Sequence, residues 1–400
     1  MKTDQKKTSK LVEVIIFILF ALGPLTGNVI LVLFGVLSLE FSVIPRAILI
    51  AIPSFMFPFA IVQLFSGAIS DIKGRFPVIL LGLFIFGIGM IVASLSFSLM
   101  AFIIANVLAG IGFGFVNPVL IALLTDIVPG PKISKKIGLL GAVANLGVGF
   151  GPLIAGQIIN LSWRYLYVIF LSITVLGILI IFTIRKSQSA TKSDDGIRTF
   201  FSHLAQEIRR LPVILLVISA FLISHTSIAT IIWTSQSFAE VPEVIPVAIS
   251  GLIIALFGLM GFLAGILTGF IIKKKDVKFV LVVGLISLFI ADIFLIIFGD
   301  NSFEALILTS IGLLFMGFAG GILVTLVMFF SQTLSSERRG ALAGLTTASL
   351  FIGNAFVPMT FKPFYDSGGI FLVYLIILIA SVLLLAALLI LYKFAKIKTK

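Results

Sequence analysis

The sequence predicts an all-α membrane protein whose twelve transmembrane helices form two pseudo-symmetric six-helix halves. The chain is 60% hydrophobic and only 11% charged, whereas a soluble domain is about 45–50% apolar and about 25% charged. Its apolar stretches are also continuous rather than alternating, which argues against a membrane β-barrel. A water-soluble enzyme and a disordered chain are therefore excluded, and the lack of cysteine excludes a disulfide-stapled secreted domain.

Twelve stretches reach the length of roughly 20 apolar residues that a spanning helix needs. Their approximate bounds are 11–37, 46–70, 77–97, 99–128, 137–160, 164–184, 212–237, 244–272, 279–298, 303–332, 340–361 and 369–392. The longest polar connection divides them six and six. We therefore expect a first half at 1–184, a linker at 185–211 and a second half at 212–400.

Lysine and arginine residues concentrate on one side of this topology. All but three of the 28 fall in tails and loops on the side of the two termini. The exceptions are Arg46, Arg164 and Lys362. The positive-inside rule thus predicts a multi-pass protein of the cell membrane with both termini in the cytoplasm. Because the net charge of +12 comes from these loops, it does not indicate a nucleic-acid partner.

The two halves resemble each other in sequence. The glycine-rich stretch 108–114 in span 4 has a counterpart at 315–321 in span 10, and 134–138 before span 5 matches 336–340 before span 11. Small residues at these positions let helices approach closely in lipid. Two similar six-helix halves are typical of transporters that work by alternating access.

The loop between spans 2 and 3 carries a recognisable motif. Gly67, Asp71, Gly74 and Arg75 stand in the pattern Gly-x3-Asp-x2-Gly-Arg, which resembles the signature loop of the major facilitator superfamily. The resemblance implies a gating role, in which Asp71 accepts from the start of span 11 and Arg75 pairs with Asp126 to clamp the halves together. The alternative is a solvated turn with surface charges.

Span 5 narrows the resemblance to the drug-exporting branch of that family. Gly138, Gly147, Gly151, Pro152 and Gly156 are similar in type and spacing to the antiporter motif of drug exporters. The glycines allow close packing, and the proline frees a backbone carbonyl and can kink the helix. Generic small-residue packing is the alternative interpretation.

The chain departs from drug/proton antiporters at two positions. These proteins usually carry an acidic residue in span 1 and an arginine in span 4, where this sequence has Asn28 and Asn106. Conventional proton antiport is therefore in question. Asn106 and Asn117 are eleven residues apart and so share a helix face. They are candidates to line a substrate cavity or, alternatively, to hydrogen-bond a neighbouring helix.

Two ionisable residues remain well inside the spans. His225 in span 7 and Asp292 in span 9 are the coupling candidates, because an intramembrane ionisable group is a functional-site hypothesis by default. A structural hydrogen bond is the alternative for each. Thr226 and Trp233 on span 7 and Asn354 on span 11 complete the predicted cavity.

The resemblance predicts a secondary active transporter that exports amphipathic or hydrophobic small molecules, with or without coupling to protons or another ion. The alternatives are a facilitator or uptake transporter for a small metabolite and, more remotely, a transport-inactive receptor or scaffold. The chain has no phosphate-binding loop and no His-Glu-x-x-His motif. We therefore expect no ATP hydrolysis, enzymatic activity, cofactor or metal. The expected partners are the substrate and the bilayer, with the monomer as the functional unit.

Overall fold

The structure is a computed structural model that describes residues 2–128, 130–184, 206–272, 276–334 and 339–398. Within these ranges it is almost entirely helical and has no strand, which confirms the all-α prediction. The α-helices of the described residues are α1 (Lys2–Val29), α2 (Phe34–Glu40), α3 (Pro45–Ile48), α4 (Ala51–Lys73), α5 (Arg75–Ser94), α6 (Leu99–Ile127), α7 (Gly130–Ile158), α8 (Arg164–Ile184), α9 (Leu211–Ile223), α10 (Ala229–Ala239), α11 (Val247–Ile271), α12 (Val277–Phe298), α13 (Leu306–Thr333) and α14 (Arg339–Lys398).

Eleven helical segments of the described chain are long and apolar enough to cross a membrane, and the last of them is long enough to cross twice. That segment, Ala341–Phe394, has 54 residues, so a straight helix of this length would extend about 80 Å. The hydrocarbon core is only about 30 Å thick. Gly368 and Gly369 leave the helical conformation, and Gly369 has a φ of +61°. This break separates spans 11 and 12, so the structure agrees with twelve crossings.

The other spans follow the chain order. Span 1 is α1, span 2 is α3 with α4, spans 3 to 6 are α5 to α8, span 7 is α9 with α10, and spans 8 to 10 are α11 to α13. An even number of crossings places both chain ends on one side, which we call the terminal side; the other is the opposite side. Most of the predicted linker at 185–211 lies outside the described residues, so the domain bounds stay a prediction.

Glycine controls how closely neighbouring spans pack. A Cβ on Gly112 of span 4 would lie 2.4 Å from the backbone nitrogen of Phe86 in span 3. A Cβ on Gly110 would lie 2.2 Å from the backbone oxygen of Phe55 in span 2. Real Cβ atoms do not approach backbone this closely, so only glycine fits. Large apolar side chains such as Phe84, which is 63% exposed, cover the outer surface that faces lipid.

Candidate functional site: the interface between the two halves

The predicted motif loop forms a sharp turn at the terminal side. Gly74 has a φ of +92°, a conformation that strongly favours glycine. The turn places Arg75 at the start of span 3, where its Nε donates to Asp126 Oδ2 at 3.0 Å. The Arg75 guanidinium also pairs with Asp71 and donates to Ser70 Oγ at 2.6 Å. The predicted pairing of Arg75 with Asp126 is therefore present, and it ties the loop to the end of span 4.

The predicted acceptance by Asp71 of backbone N–H groups at the start of span 11, near Gly340, falls beside residues 335–338, which lie outside the described set. Within the described residues, the ion-pair partner of Asp71 is Arg75. The Asp71 side chain is 42% exposed, so it is accessible on the terminal side. The clamping role of this loop stays a prediction.

The glycines of span 5 face two different helices. A Cβ on Gly147 would lie 2.4 Å from Pro24 Cβ, and one on Gly151 would lie 3.0 Å from the backbone oxygen of Leu25, both in span 1. A Cβ on Gly156 would lie 3.1 Å from the backbone oxygen of Val247 in span 8. The motif thus packs span 5 against span 1 within its own half and against span 8 of the other half.

Pro152 lies on the face of span 5 that meets span 8. A Cβ on Gly251 of span 8 would lie 2.6 Å from the backbone oxygen of Pro152. The fifth motif residue, Gly138, lies in α7, but its side-chain surroundings are outside the described set.

The two halves are closely packed from mid-membrane to the opposite side. A Cβ on Gly258 of span 8 would lie 2.3 Å from the backbone nitrogen of Gly149 in span 5. Spans 2 and 11 meet through the rings of Phe57 and Phe356, whose centroids are 5.1 Å apart and which are perpendicular. Nearer the opposite side, a Cβ on Gly35 at the end of span 1 would lie 3.2 Å from the backbone oxygen of Ala239.

Four glycines near the terminal side form no such close contact. Gly67 of span 2, Gly141 of span 5, Gly269 of span 8 and Gly344 of span 11 stand near the terminal-side ends of their helices. A Cβ at any of these four positions would meet no described atom of another helix within 4 Å. Close contacts between the halves thus run from mid-membrane to the opposite side, and these four glycine positions form none among the described residues.

Phenylalanine rings meet at the centre of the contact between the halves. Phe59 of span 2 has its ring centroid 5.5 Å from that of Phe113 in span 4 and 4.5 Å from that of Phe351 in span 11. Phe55 lies 6.0 Å from Phe59 along the same helix. This cluster of Phe55, Phe59, Phe113 and Phe351 contains rings from both halves and gives the interface an apolar, aromatic centre.

The four predicted cavity amides differ in how well their hydrogen bonds are satisfied. Asn28 Nδ2 donates to the Pro24 oxygen at 2.7 Å, and Asn106 Nδ2 donates to the Phe102 oxygen at 2.8 Å, so each bonds its own helix. The Oδ1 atoms of Asn117 and Asn354 are buried without a partner among the described residues. Asn117 and Asn354 are therefore the amides whose side-chain oxygen is buried without a hydrogen bond among the described residues.

Span 7 contains a π-helical turn at Ser224–Ile228, an irregularity found frequently at functional sites. His225 lies in this turn and is 5% exposed. Its ring is stacked on Phe221 with centroids 4.3 Å apart. Its Nδ1 lies 3.2 Å from the Phe221 oxygen, and its Nε2 lies 3.3 Å from Thr360 Oγ1 in span 11. The geometry is that of a hydrogen bond between spans 7 and 11.

The other predicted span 7 residues are fully buried. Thr226 Oγ1 donates to the Ile223 oxygen at 3.0 Å and so is satisfied within its own helix. Trp233 is 0% exposed, and its indole N–H has no hydrogen-bond partner in the described structure. Trp233 thus offers a free donor, whereas Thr226 does not.

Asp292 lies away from the interface, between spans 9 and 12. It is 1% exposed, so it does not reach the membrane surface. The Ser381 hydroxyl of span 12 faces its carboxyl group. Both carboxyl oxygens nevertheless lack a partner within hydrogen-bond geometry among the described residues. The two coupling candidates therefore differ in their surroundings. Of the two, His225 is the one that bonds a helix contributing to the contact between the halves.

Two halves of six membrane-spanning helices that meet at mid-membrane are the architecture of a secondary transporter. The chain belongs to the Major Facilitator Superfamily, whose family model matches residues 16–358.

Known proteins similar to the chain agree with this assignment. The Quinolone resistance protein NorA of Staphylococcus aureus (strain COL) is 23% identical over 311 residues, covering 76% of this chain and 77% of that protein. The crystal structure of a D-xylose-proton symporter has a TM-score of 0.74 at 15% identity and covers 96% of this chain and 97% of the symporter. The human organic anion transporter MFSD10 (TETRAN) has a TM-score of 0.67 at 18% identity, covering 95% and 99%. At these identities the solved structures support the fold alone.

Proposed function

We propose that this transporter exports amphipathic or hydrophobic small molecules across the cell membrane as a monomer. The carrying observation is the phenylalanine cluster at the contact between the halves, together with the contacts that close the opposite side. The positive-inside rule supports a cytoplasmic location for the terminal side, because all but three of the lysine and arginine residues belong to it. An exporter must take up its substrate from the cytoplasm, and a conformation closed on the opposite side suits that step.

The chemistry of the interface favours an apolar ligand with a few polar groups. Small-molecule sites are mostly apolar and aromatic, with a small number of placed donors and acceptors. Here the phenylalanine cluster supplies the apolar surface. Asn117 and Asn354 supply acceptors and Trp233 supplies a donor, and none of the three atoms has a partner in the described structure. The similarity to a quinolone resistance protein supports an aromatic, amphipathic substrate.

We propose His225 as the residue that couples export to protons. A group that carries protons must change charge during the cycle, which the amides of Asn28 and Asn106 cannot do. His225 joins spans 7 and 11 through Thr360, so a change in its protonation alters a contact between two helices of the second half. The competing proposal is an uncoupled facilitator or uptake transporter, which the same neutral amides favour.

The test is transport by the purified chain in proteoliposomes under imposed pH and Na⁺ gradients, with protein-free liposomes as the control. The panel includes a quinolone and D-xylose as representatives of the two substrate classes. We expect gradient-dependent movement of the quinolone and none of the sugar. Movement of D-xylose alone would overturn the export proposal in favour of uptake or facilitation.

A further inference from the structure

The basic residues on the opposite side all form ion pairs. Arg164 Nη2 contacts Glu40 Oε1 at 2.8 Å within the first half. Lys362 Nζ contacts Asp366 Oδ2 at 2.6 Å within the second half. Arg46, at the start of span 2, is the one of the three that pairs across the halves, because its two carboxylate partners belong to spans 7 and 11.

Arg46 is shared between two acidic residues of the second half. Its Nε lies 3.3 Å from Glu240 Oε1 at the end of span 7. Its Nη1 donates to Asp366 Oδ1 at 2.5 Å, near the end of span 11. The three side chains are 30–36% exposed, so each pair is partly shielded from solvent. Together they join the halves on the side where the space between them is closed.

Tyr365 positions this ion-pair group. Its hydroxyl donates to Glu240 Oε2 at 2.8 Å, which leaves Glu240 Oε1 for Arg46. The Arg46 guanidinium lies 5.8 Å from the centroid of the Tyr365 ring. The Tyr365 ring in turn packs on Trp233, with centroids 4.8 Å apart and planes inclined by 31°. Trp233 therefore contacts the same residue that holds Glu240 in place.

We propose that Arg46, Glu240 and Asp366 form a latch that keeps the opposite side closed, and that Tyr365 is its positioning residue. The latch must break for the halves to separate on that side, since Arg46 is on one half and both acids are on the other. This inference rests on the alternating-access part of the proposed function. It adds the residues that set the equilibrium between the conformation closed on the opposite side and the conformation open on that side.

A single cysteine at Ser235 reports the state of the latch. Ser235 is 1% exposed, and its hydroxyl donates to the Leu31 oxygen of the first half. Reaction of Ser235→Cys with a maleimide therefore requires the halves to separate on the opposite side. The native chain contains no cysteine, so the reporter has no background. The measurement is the labelling rate of purified protein in lipid nanodiscs, without substrate.

Arg164→Gln is the matched control for Arg46→Gln. Both changes remove an arginine from the opposite side, but Arg164 pairs within one half. A hydrogen bond from Arg164 holds the pKa of Glu40 below its usual value, so that pair is also fully ionised at neutral pH. We expect Arg46→Gln to raise the labelling rate about threefold to tenfold, as expected for two partly exposed pairs. Arg164→Gln should leave the rate unchanged, and equal rates in both variants would overturn the latch.

Two further variants keep the test decisive if Arg46→Gln folds poorly. Tyr365→Phe keeps the ring on Trp233 but removes the bond to Glu240, so it should also raise the rate. Arg46→Lys keeps the charge and should restore slow labelling. Fast labelling of Arg46→Lys together with slow labelling of Tyr365→Phe would overturn the proposal.

Because the assay uses no substrate, a failed latch with intact liposome transport overturns the latch alone. A working latch without any transport overturns the proposed function alone.

Discussion

Replacement of Gly258 by alanine tests whether the close contact of spans 5 and 8 sets the conformation. The new Cβ would lie 2.3 Å from Gly149 N and 2.9 Å from the carbonyl carbon of Val148. Both are backbone atoms, so no side chain can turn away. Ordinary contact begins near 3.4 Å, and the helices must therefore separate by about 1 Å. Overpacking of this kind costs about 1–3 kcal/mol, equivalent to roughly a 5- to 150-fold shift in a two-state equilibrium.

Gly269→Ala is the matched control, because Gly269 lies on the same helix and its Cβ would meet no described atom within 4 Å. Both substitutions gain the same helix propensity, about 1 kcal/mol, so their difference isolates the contact. We expect Gly258→Ala to lower the melting temperature relative to Gly269→Ala and to speed labelling of the Ser235→Cys reporter. Equal melting temperatures and equal labelling rates in the two variants would refute the reasoning.

Three further predictions concern gating, coupling and topology. Asp71→Asn removes the charge beside Arg75 and should slow turnover more than it weakens substrate binding, as measured by transport and equilibrium binding at matched expression; unchanged turnover would contradict the gating role. His225→Gln should abolish the dependence of transport on an imposed pH gradient while substrate binding persists. If the wild type responds to the gradient and this variant responds equally, His225 does not carry the proton. Thr125→Cys should react with an impermeant reagent only from the cytoplasm and Glu304→Cys only from outside intact cells. Labelling of both from one face would contradict the twelve-span topology.

The fold could be predicted from the sequence because the bilayer restricts the possible structures. Continuous apolar stretches of about 20 residues must be helical, since the membrane supplies no partners for backbone groups. The turn at Gly74 could also be predicted, because a positive φ strongly favours glycine and the motif has glycine at this position. The break at Gly369 lies where the sequence predicted the boundary between spans 11 and 12.

The contacts between the halves were not readable in the same way. Arg46 and Asp366 are 320 residues apart, and nothing local relates them. One feature of the sequence could have indicated these contacts. The opposite side has only three basic residues, so their acidic partners could have been sought among the few acidic residues of that side. The π-helical turn at Ser224–Ile228 was also not predictable, because no residue in that stretch marks it.

The contact between Gly149 and Gly258 has the position of a fulcrum. Gly269 lies eleven residues further along span 8, which is a lever arm of about 16 Å. A rotation of about 14° about the glycine contact would displace Gly269 by about 4 Å. A side chain at the fulcrum would lengthen the distance between the two axes and turn this rotation into a slide. Such a rotation would move span 8 as a rigid body, without bending the helix.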